Sequence, residues 1–185
     1  LNVFLQKPLS KFNVVNDINQ NLINLYRVIH SPTLKPLLLE QLDHAVYSRD
    51  MFKHFQSLYK RPFIWKHLPQ EERAFIFLYL NRTSFNGQFQ SYARRNDSAV
   101  LYNLKDTIDL MFKKFQAGRT VIENLHFKEL LKSEYNKENV LIYLDPPYWV
   151  TTQAVGDKYY EHKMDEFEHP LMEQILRKFK RAKII

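Results

Sequence analysis

The sequence contains no cysteine, which excludes disulfides, thiolate metal sites and a cysteine nucleophile together. Glycine is almost as scarce, with only Gly87, Gly118 and Gly156 in 185 residues, against an average of about 7%. Three glycines so widely spaced write neither a GxGxxG nor a Walker loop, and no pyrophosphate can be cradled on glycine backbone. No apolar run approaches the ~18 residues of a membrane-crossing helix, and Leu1–Leu9 is too short and too polar for a secretory h-region. The seven histidines show no ligand spacing with carboxylates, and Ser, His and Asp occur without a nucleophile elbow, so neither a metal site nor a hydrolase triad is expected. A reducing, intracellular setting is compatible with these absences.

What is present describes a globular chain. A hydrophobic fraction of 45% and an aromatic fraction of 15% supply a real core, in one domain with room for an insertion. The net charge of +7 is unevenly placed: residues 44–119 hold 13 Lys and Arg against six acids, and the remainder is balanced. That segment also carries Tyr59, Phe63, Trp65, Tyr79, Phe85, Phe89, Tyr92 and Tyr102. Basic and aromatic residues together suit phosphates and stacked bases. A solvated basic face over an ordinary core is equally consistent with the charge alone.

Periodicity organises the chain. Phe12–Asn16 reads as a strand ending in an acidic turn at Asp17, followed by a helix with Leu22, Leu25, Tyr26 and Ile29 on one face and a stop at Ser31-Pro32. Residues 34–59 read as helical, with breaks at Pro36 and Arg61-Pro62. Acids open a helix at Gln70 that runs to Arg82 and gives way to a loop around Gly87. A further helix over 103–116 is expected to stop on Gly118. Strands and helices then alternate, as a parallel sheet with crossovers requires. Thr120–Glu123 is a strand, Phe127–Tyr135 a helix, and Val140–Leu144 an apolar strand buried on both faces. Asp165–Lys180 is the last helix, with Phe167, Leu171, Ile175, Leu176 and Phe179 inward, and Ala182–Ile185 begins another strand.

Asp145-Pro146-Pro147-Tyr148 follows the apolar strand directly, where open α/β sheets bind ligands. Each proline restricts the residue before it, so the Asp145 carboxylate and the Pro146 carbonyl are held in fixed relative positions. Two acceptors facing one point, with an aromatic ring beside them, suit a planar ring bearing an exocyclic NH₂. A tight Pro-Pro turn with a capping acid is the plainer alternative.

Several segments together resemble the Dam-type adenine-specific DNA methyltransferases. NDINQNLINLY (16–26) resembles the family's acidic cofactor turn and helix, and FLYLNRTSFNG (77–87) its DNA-recognition signature. VIENLHFKELL precedes the catalytic strand, LIYLDPPY is similar to the catalytic motif, and DEFEHPLMEQIL fits the helix after the active-site loop. The resemblance implies a Rossmann-like, mostly parallel methyltransferase sheet, incomplete here, formed by residues 1–43 and 120–185, with 44–119 as a helical target-recognition insertion. It implies methyl transfer from S-adenosylmethionine to N6 of an adenine flipped out of duplex DNA, since a stacked base cannot reach a donor. Asp145, Pro146, Pro147 and Tyr148 would hold the adenine. Asp17, Ile18, His126, Phe127 and Asp145 would face the cofactor, and Arg82, Thr83, Ser84, Phe85, Asn86, Gly87, Gln90, Arg94 and Arg95 the DNA. Double-stranded DNA is the implied partner, without membrane or metal, in the cytoplasm of a bacterium or encoded by a phage. A companion restriction enzyme is among the partners the family admits. The same motif chemistry also serves RNA adenine or cytosine N4, and a silent DNA-binding relative would carry the same recognition segment.

The sequence departs from the family in three places. The family's N-terminal strand and glycine-rich methionine-binding loop would precede Leu1 and the remaining strands would follow Ile185, so a fragment that binds cofactor weakly is expected. His126 stands where relatives carry an acid, and a simple turn residue is its plainer reading. Gln90 stands where relatives commonly place a guanine-reading arginine; glutamine suits adenine N6/N7 or reads nothing, which argues against a GATC target.

Overall fold

The computed structural model describes residues 2–8, 10–93, 101, 103–146, 164 and 167–185. They form a mixed α/β arrangement with two pairs of parallel strands. The chain divides into two compact units, Leu1–Asn16 with Gln20–Glu123, and Asp17–Asn19 with Asn124–Ile185.

The first unit runs through α1 (Asn2–Gln6), β1 (Phe12–Asn16), α2 (Gln20–His30), α3 (Leu34–Asp43), α4 (Arg49–Tyr59), α5 (Pro62–His67) and α6 (Gln70–Thr83). A short 3-10 turn at Phe85–Gly87, α7 (Leu104–Ala117) and β2 (Arg119–Glu123) follow among its described residues. Helix α6 is its centre. Ala74, Phe75, Ile76, Phe77, Leu78, Tyr79 and Leu80 are all buried, so the helix is apolar on every side and must be surrounded. It packs against α2, α3 and α4. Burial of each large side chain contributes about 1.5–3 kcal/mol. The predicted insertion therefore shares one hydrophobic cluster with α2 and α3, through Val28, Ile29, Leu38 and Leu42. Tyr79 brings a polar group into this core: its hydroxyl donates to Val46 O at 2.8 Å and accepts from Ser48 N at 3.2 Å. Burial pushes its pKa up, with Tyr92 and Tyr47 adding to the effect against the Ser48 hydrogen bonds, so the phenol stays neutral.

Local expectations were met in part. On α2 the buried residues are Ile23, Leu25, Val28 and Ile29, a face rotated slightly from the predicted one. Pro36 does not break the helix. It is the third residue of α3, in the first turn, where backbone N–H groups have no intrahelical acceptor to lose. The break falls instead between α3 and α4, where extended Ser48 caps α4 by accepting from Met51 N at 3.1 Å. Gly118 ends α7 but in extended backbone, φ −136°, and so is not a left-handed cap. Its role is close approach: a Cβ there would sit 2.6 Å from Ser10 O and 2.9 Å from Asn13 Nδ2.

Strands β1 and β2 pair in parallel, Phe12 opposite Arg119 and Asn16 opposite Glu123, so their carboxyl ends lie at one edge. The Arg27 guanidinium anchors α2 to this pair by donating to Ile122 O at 3.2 Å.

The second unit contains α8 (Phe127–Leu130), a 3-10 turn at Ser133–Tyr135, β3 (Leu141–Ile142), α9 (Glu168–Leu176) and β4 (Lys183–Ile184). The predicted helix over Phe127–Tyr135 is thus one α-turn and one 3-10 turn separated at Leu131, whose backbone leaves the helical region at ψ 74°. The parallel ladder of β3 and β4 extends beyond its core, with Lys183 N donating to Val140 O and Leu144 N to Ile185 O. The apolar strand is not buried on both faces: Leu141 is 53% and Tyr143 48% exposed, while Ile142 and Leu144 are partly covered. Alternation at period two shows that one face of this strand is covered better than the other. Phe167, predicted inward, precedes α9 and is 72% exposed.

Candidate functional site

Asp145 lies one residue beyond the last ladder hydrogen bond of β3, at the carboxyl end of a parallel strand. It is exposed, and its carboxylate makes no hydrogen bond or ion pair among the described residues. Pro146 follows, partly covered, with a trans peptide bond. The other two residues of the predicted grip, Pro147 and Tyr148, lie outside the described residues.

The acidic turn belongs to the same unit. Asp17 Oδ1 accepts from Asn19 N at 2.8 Å, an Asx turn that fixes the carboxylate. Asn124, directly after β2, donates its side-chain amide to Asp17 O at 2.8 Å and Ile18 O at 3.0 Å. The turn is therefore tied on both sides while Ile18 remains 46% exposed. Asn124 braces this turn without having been singled out from the sequence, where its pattern is that of any polar residue at a strand end.

His126 has both ring nitrogens engaged. Nδ1 accepts from Lys128 N at 3.3 Å, capping α8, which leaves the proton on Nε2 for donation to Glu168 Oε1 at 2.6 Å. Phe127 lies beside the imidazole, with ring centroids 4.4 Å apart. The ring thus joins the start of α8 to the start of α9.

In the first unit, the predicted recognition residues form a closed loop. Ser84 and Tyr92 make a single antiparallel bridge, Phe85 N donates to Ser91 O at 3.0 Å, and Ala93 N donates to Thr83 O at 2.8 Å. Tyr47 secures the end by donating its hydroxyl to Ala93 O. Thr83 and Ser84 are fully buried: the Thr83 hydroxyl donates to Tyr79 O at 2.7 Å, and Ser84 Oγ accepts from Phe89 N at 3.1 Å. These two hydroxyls build the loop. Arg82, Phe85, Asn86 and Gln90 are exposed, Phe85 by 61%. Asn86, Gly87 and Phe89 all have positive φ, at 52°, 68° and 61°. Arg94 and Arg95 lie outside the described residues.

Among the described residues no group of three or more His, Asp or Glu could hold a metal ion, and no helix is long and apolar enough to cross a membrane. No curated protein matches the chain. The family model for D12 class N6 adenine-specific DNA methyltransferases matches residues 3–185. With an exposed acid ending a parallel strand, an anchored acidic turn and a braced loop falling within one continuous match, the chain belongs to the D12 class N6 adenine-specific DNA methyltransferase family.

Proposed function

We propose that the chain takes part in methyl transfer from S-adenosylmethionine to N6 of an adenine extruded from duplex DNA. The observation that carries this reading is Asp145, an exposed carboxylate with no partner among the described residues, at the end of a parallel strand and backed by Pro146. A carboxylate so placed is available to a ligand and is held by the chain rather than by a competing cation. Asp145 and the Pro146 carbonyl accept the two N6 hydrogens, which draws the nitrogen lone pair out of conjugation with the ring. Tyr148 is assigned to the adenine face by its place in the motif.

The cofactor supplies an activated methyl group on a sulfonium. The acidic turn has the donor set for it: the Asp17 carboxylate suits the vicinal hydroxyls of a ribose, and exposed Ile18 offers an apolar surface for the adjoining flat ring. Asn124 keeps both in place from behind. His126, occupied at both nitrogens, is assigned to positioning Phe127 on the cofactor side. The chain contributes positioning and exclusion of water, which are the main sources of rate in a displacement of this kind.

The segment 44–119 is assigned to the DNA, through the exposed residues of the 83–93 loop and its surplus of positive charge. The test is direct: the chain is incubated with duplex DNA and donor carrying a labelled methyl group, and the digested DNA is resolved into nucleosides. With donor in saturating excess, label in N6-methyl-2′-deoxyadenosine is expected; label in N4-methyl-2′-deoxycytidine, or no transfer, overturns the assignment. Arg82→Glu is expected to lower duplex affinity and to reduce the slope of log affinity against log salt by about one for each phosphate that is no longer neutralised. A titration series over salt concentration checks it, and an unchanged slope would mean Arg82 faces away from the DNA.

A further inference from the structure

We propose that Gln56, on α4, is a positioning residue for base reading: it holds the loop backbone in the one register that presents Gln90. This deepens the assignment of the loop to DNA and rests on it. Gln56 Nε2 lies 2.5 Å from Phe89 O and 3.1 Å from Gln90 O. Two carbonyl oxygens around one terminal atom require that atom to be the amide nitrogen, with both of its hydrogens used. The chain at this point is under strain. Phe89 sits at φ 61°, in the left-handed region, which crowds the Cβ of a non-glycine residue against the backbone. Such a residue stays there only when its surroundings over-determine it.

Those surroundings are specific. Ser84 Oγ fixes the Phe89 N–H, and the Phe89 ring stands edge-on to Phe77 at 5.3 Å and Tyr59 at 5.1 Å. Tyr59 is itself held by Asn21 at 3.1 Å and stands edge-on to Trp65, whose indole N–H donates to Asn21 Oδ1 at 3.0 Å. Four helices, α2, α4, α5 and α6, therefore brace one loop residue, and Gln56 carries that bracing one residue further, to the Gln90 carbonyl. The Gln90 side chain is exposed and makes no hydrogen bond among the described residues. Bidentate pairing of a glutamine amide with adenine N6 and N7 needs placement within about 0.5 Å, which a loop cannot provide unless its backbone is held.

The experiment selects duplexes from a randomised library with the full 185-residue chain and with Gln56→Met, Gln56→Asn and Gln90→Ala. Met matches the length without a donor, and Asn is too short to span both carbonyls. Both Gln56 variants are expected to lose about tenfold or more of the discrimination at the base pair that Gln90→Ala flattens. Affinity for random duplex and cooperative thermal unfolding should be retained. Unaltered base preference in the variants, beside a clear preference in the unsubstituted chain, overturns the role of Gln56 alone. Loss of cooperative folding in both variants makes Gln56 a stability residue and also overturns it. An unsubstituted chain that binds no duplex overturns the assignment of the loop to DNA, and the role of Gln56 falls with it.

Discussion

Replacing Asp145 by alanine is expected to abolish methyl transfer while leaving duplex affinity within a few-fold of the starting value. The carboxylate ends a parallel strand and is bound to nothing else among the described residues, so its removal breaks no structural bond there. The loss falls on the reaction. In the proposed grip, loss of one acceptor leaves the amino group conjugated with the adenine ring and a poor nucleophile. Removal of a single preorganised hydrogen-bond partner from a reacting centre lowers turnover by about 100-fold or more. Asp145→Asn should be nearly as damaging, because an amide can turn a donor toward the hydrogens it must accept. Single-turnover transfer of labelled methyl, measured beside duplex titration, separates the two quantities. A large loss of affinity with residual turnover would make Asp145 a DNA-binding residue.

Gly118→Ala is expected to destabilise the first unit by about 3 kcal/mol, the upper range for forced overpacking. The new methyl would meet Ser10 O at 2.6 Å and Asn13 Nδ2 at 2.9 Å, and neither can withdraw freely. Ser10 O already accepts from Asn13 Nδ2, and the buried Asn13 accepts through Oδ1 from the Lys7 ammonium at 2.7 Å. That ammonium has its pKa lowered by burial and by Lys114, so it depends on the acceptors it has. Displacement of this corner separates the start of β1 from the start of β2 and disturbs the Ser10 Oγ and Asn13 Oδ1 acceptors of a partly buried ammonium. Urea unfolding followed by circular dichroism gives the value, and a change below about 0.5 kcal/mol, within the range of neutral surface substitutions, would show that the corner yields.

The two predictions draw on features that differ in how openly the sequence displays them. The place of Asp145 at a strand end was legible because the signal is local: a run of apolar residues dictates a strand, and the acid and Pro146 follow it directly. The same holds for β1, α6 and the Asp17 turn. Gly118 was legible as a boundary but not in its role, since the crowding comes from Ser10 and Asn13, far away along the chain. Pro36 misled because a proline in a first turn and one that breaks a helix have the same letter, and only the start at Leu34 distinguishes them. Leu141, Tyr143 and Phe167 misled because apolar character predicts burial only where another element is present to supply it. Gln56 and Asn124 carried no signal at all. A polar residue on a helix or after a strand is ordinary, and their partners at Phe89, Gln90, Asp17 and Ile18 are assembled only by tertiary folding.

The pairing of Phe12 with Arg119 has a consequence for how the chain reaches its native state. Strand β1 leaves the ribosome before β2, the strand it pairs with among the described residues, which follows roughly a hundred residues later, a delay of roughly 5–20 s at ordinary rates of synthesis. During that interval the unpaired edge is open to association with other chains, and the helices between must condense first to shorten the loop that the pairing closes. Refolding is therefore expected to be slow for a chain so rich in helix, and its yield to fall with protein concentration.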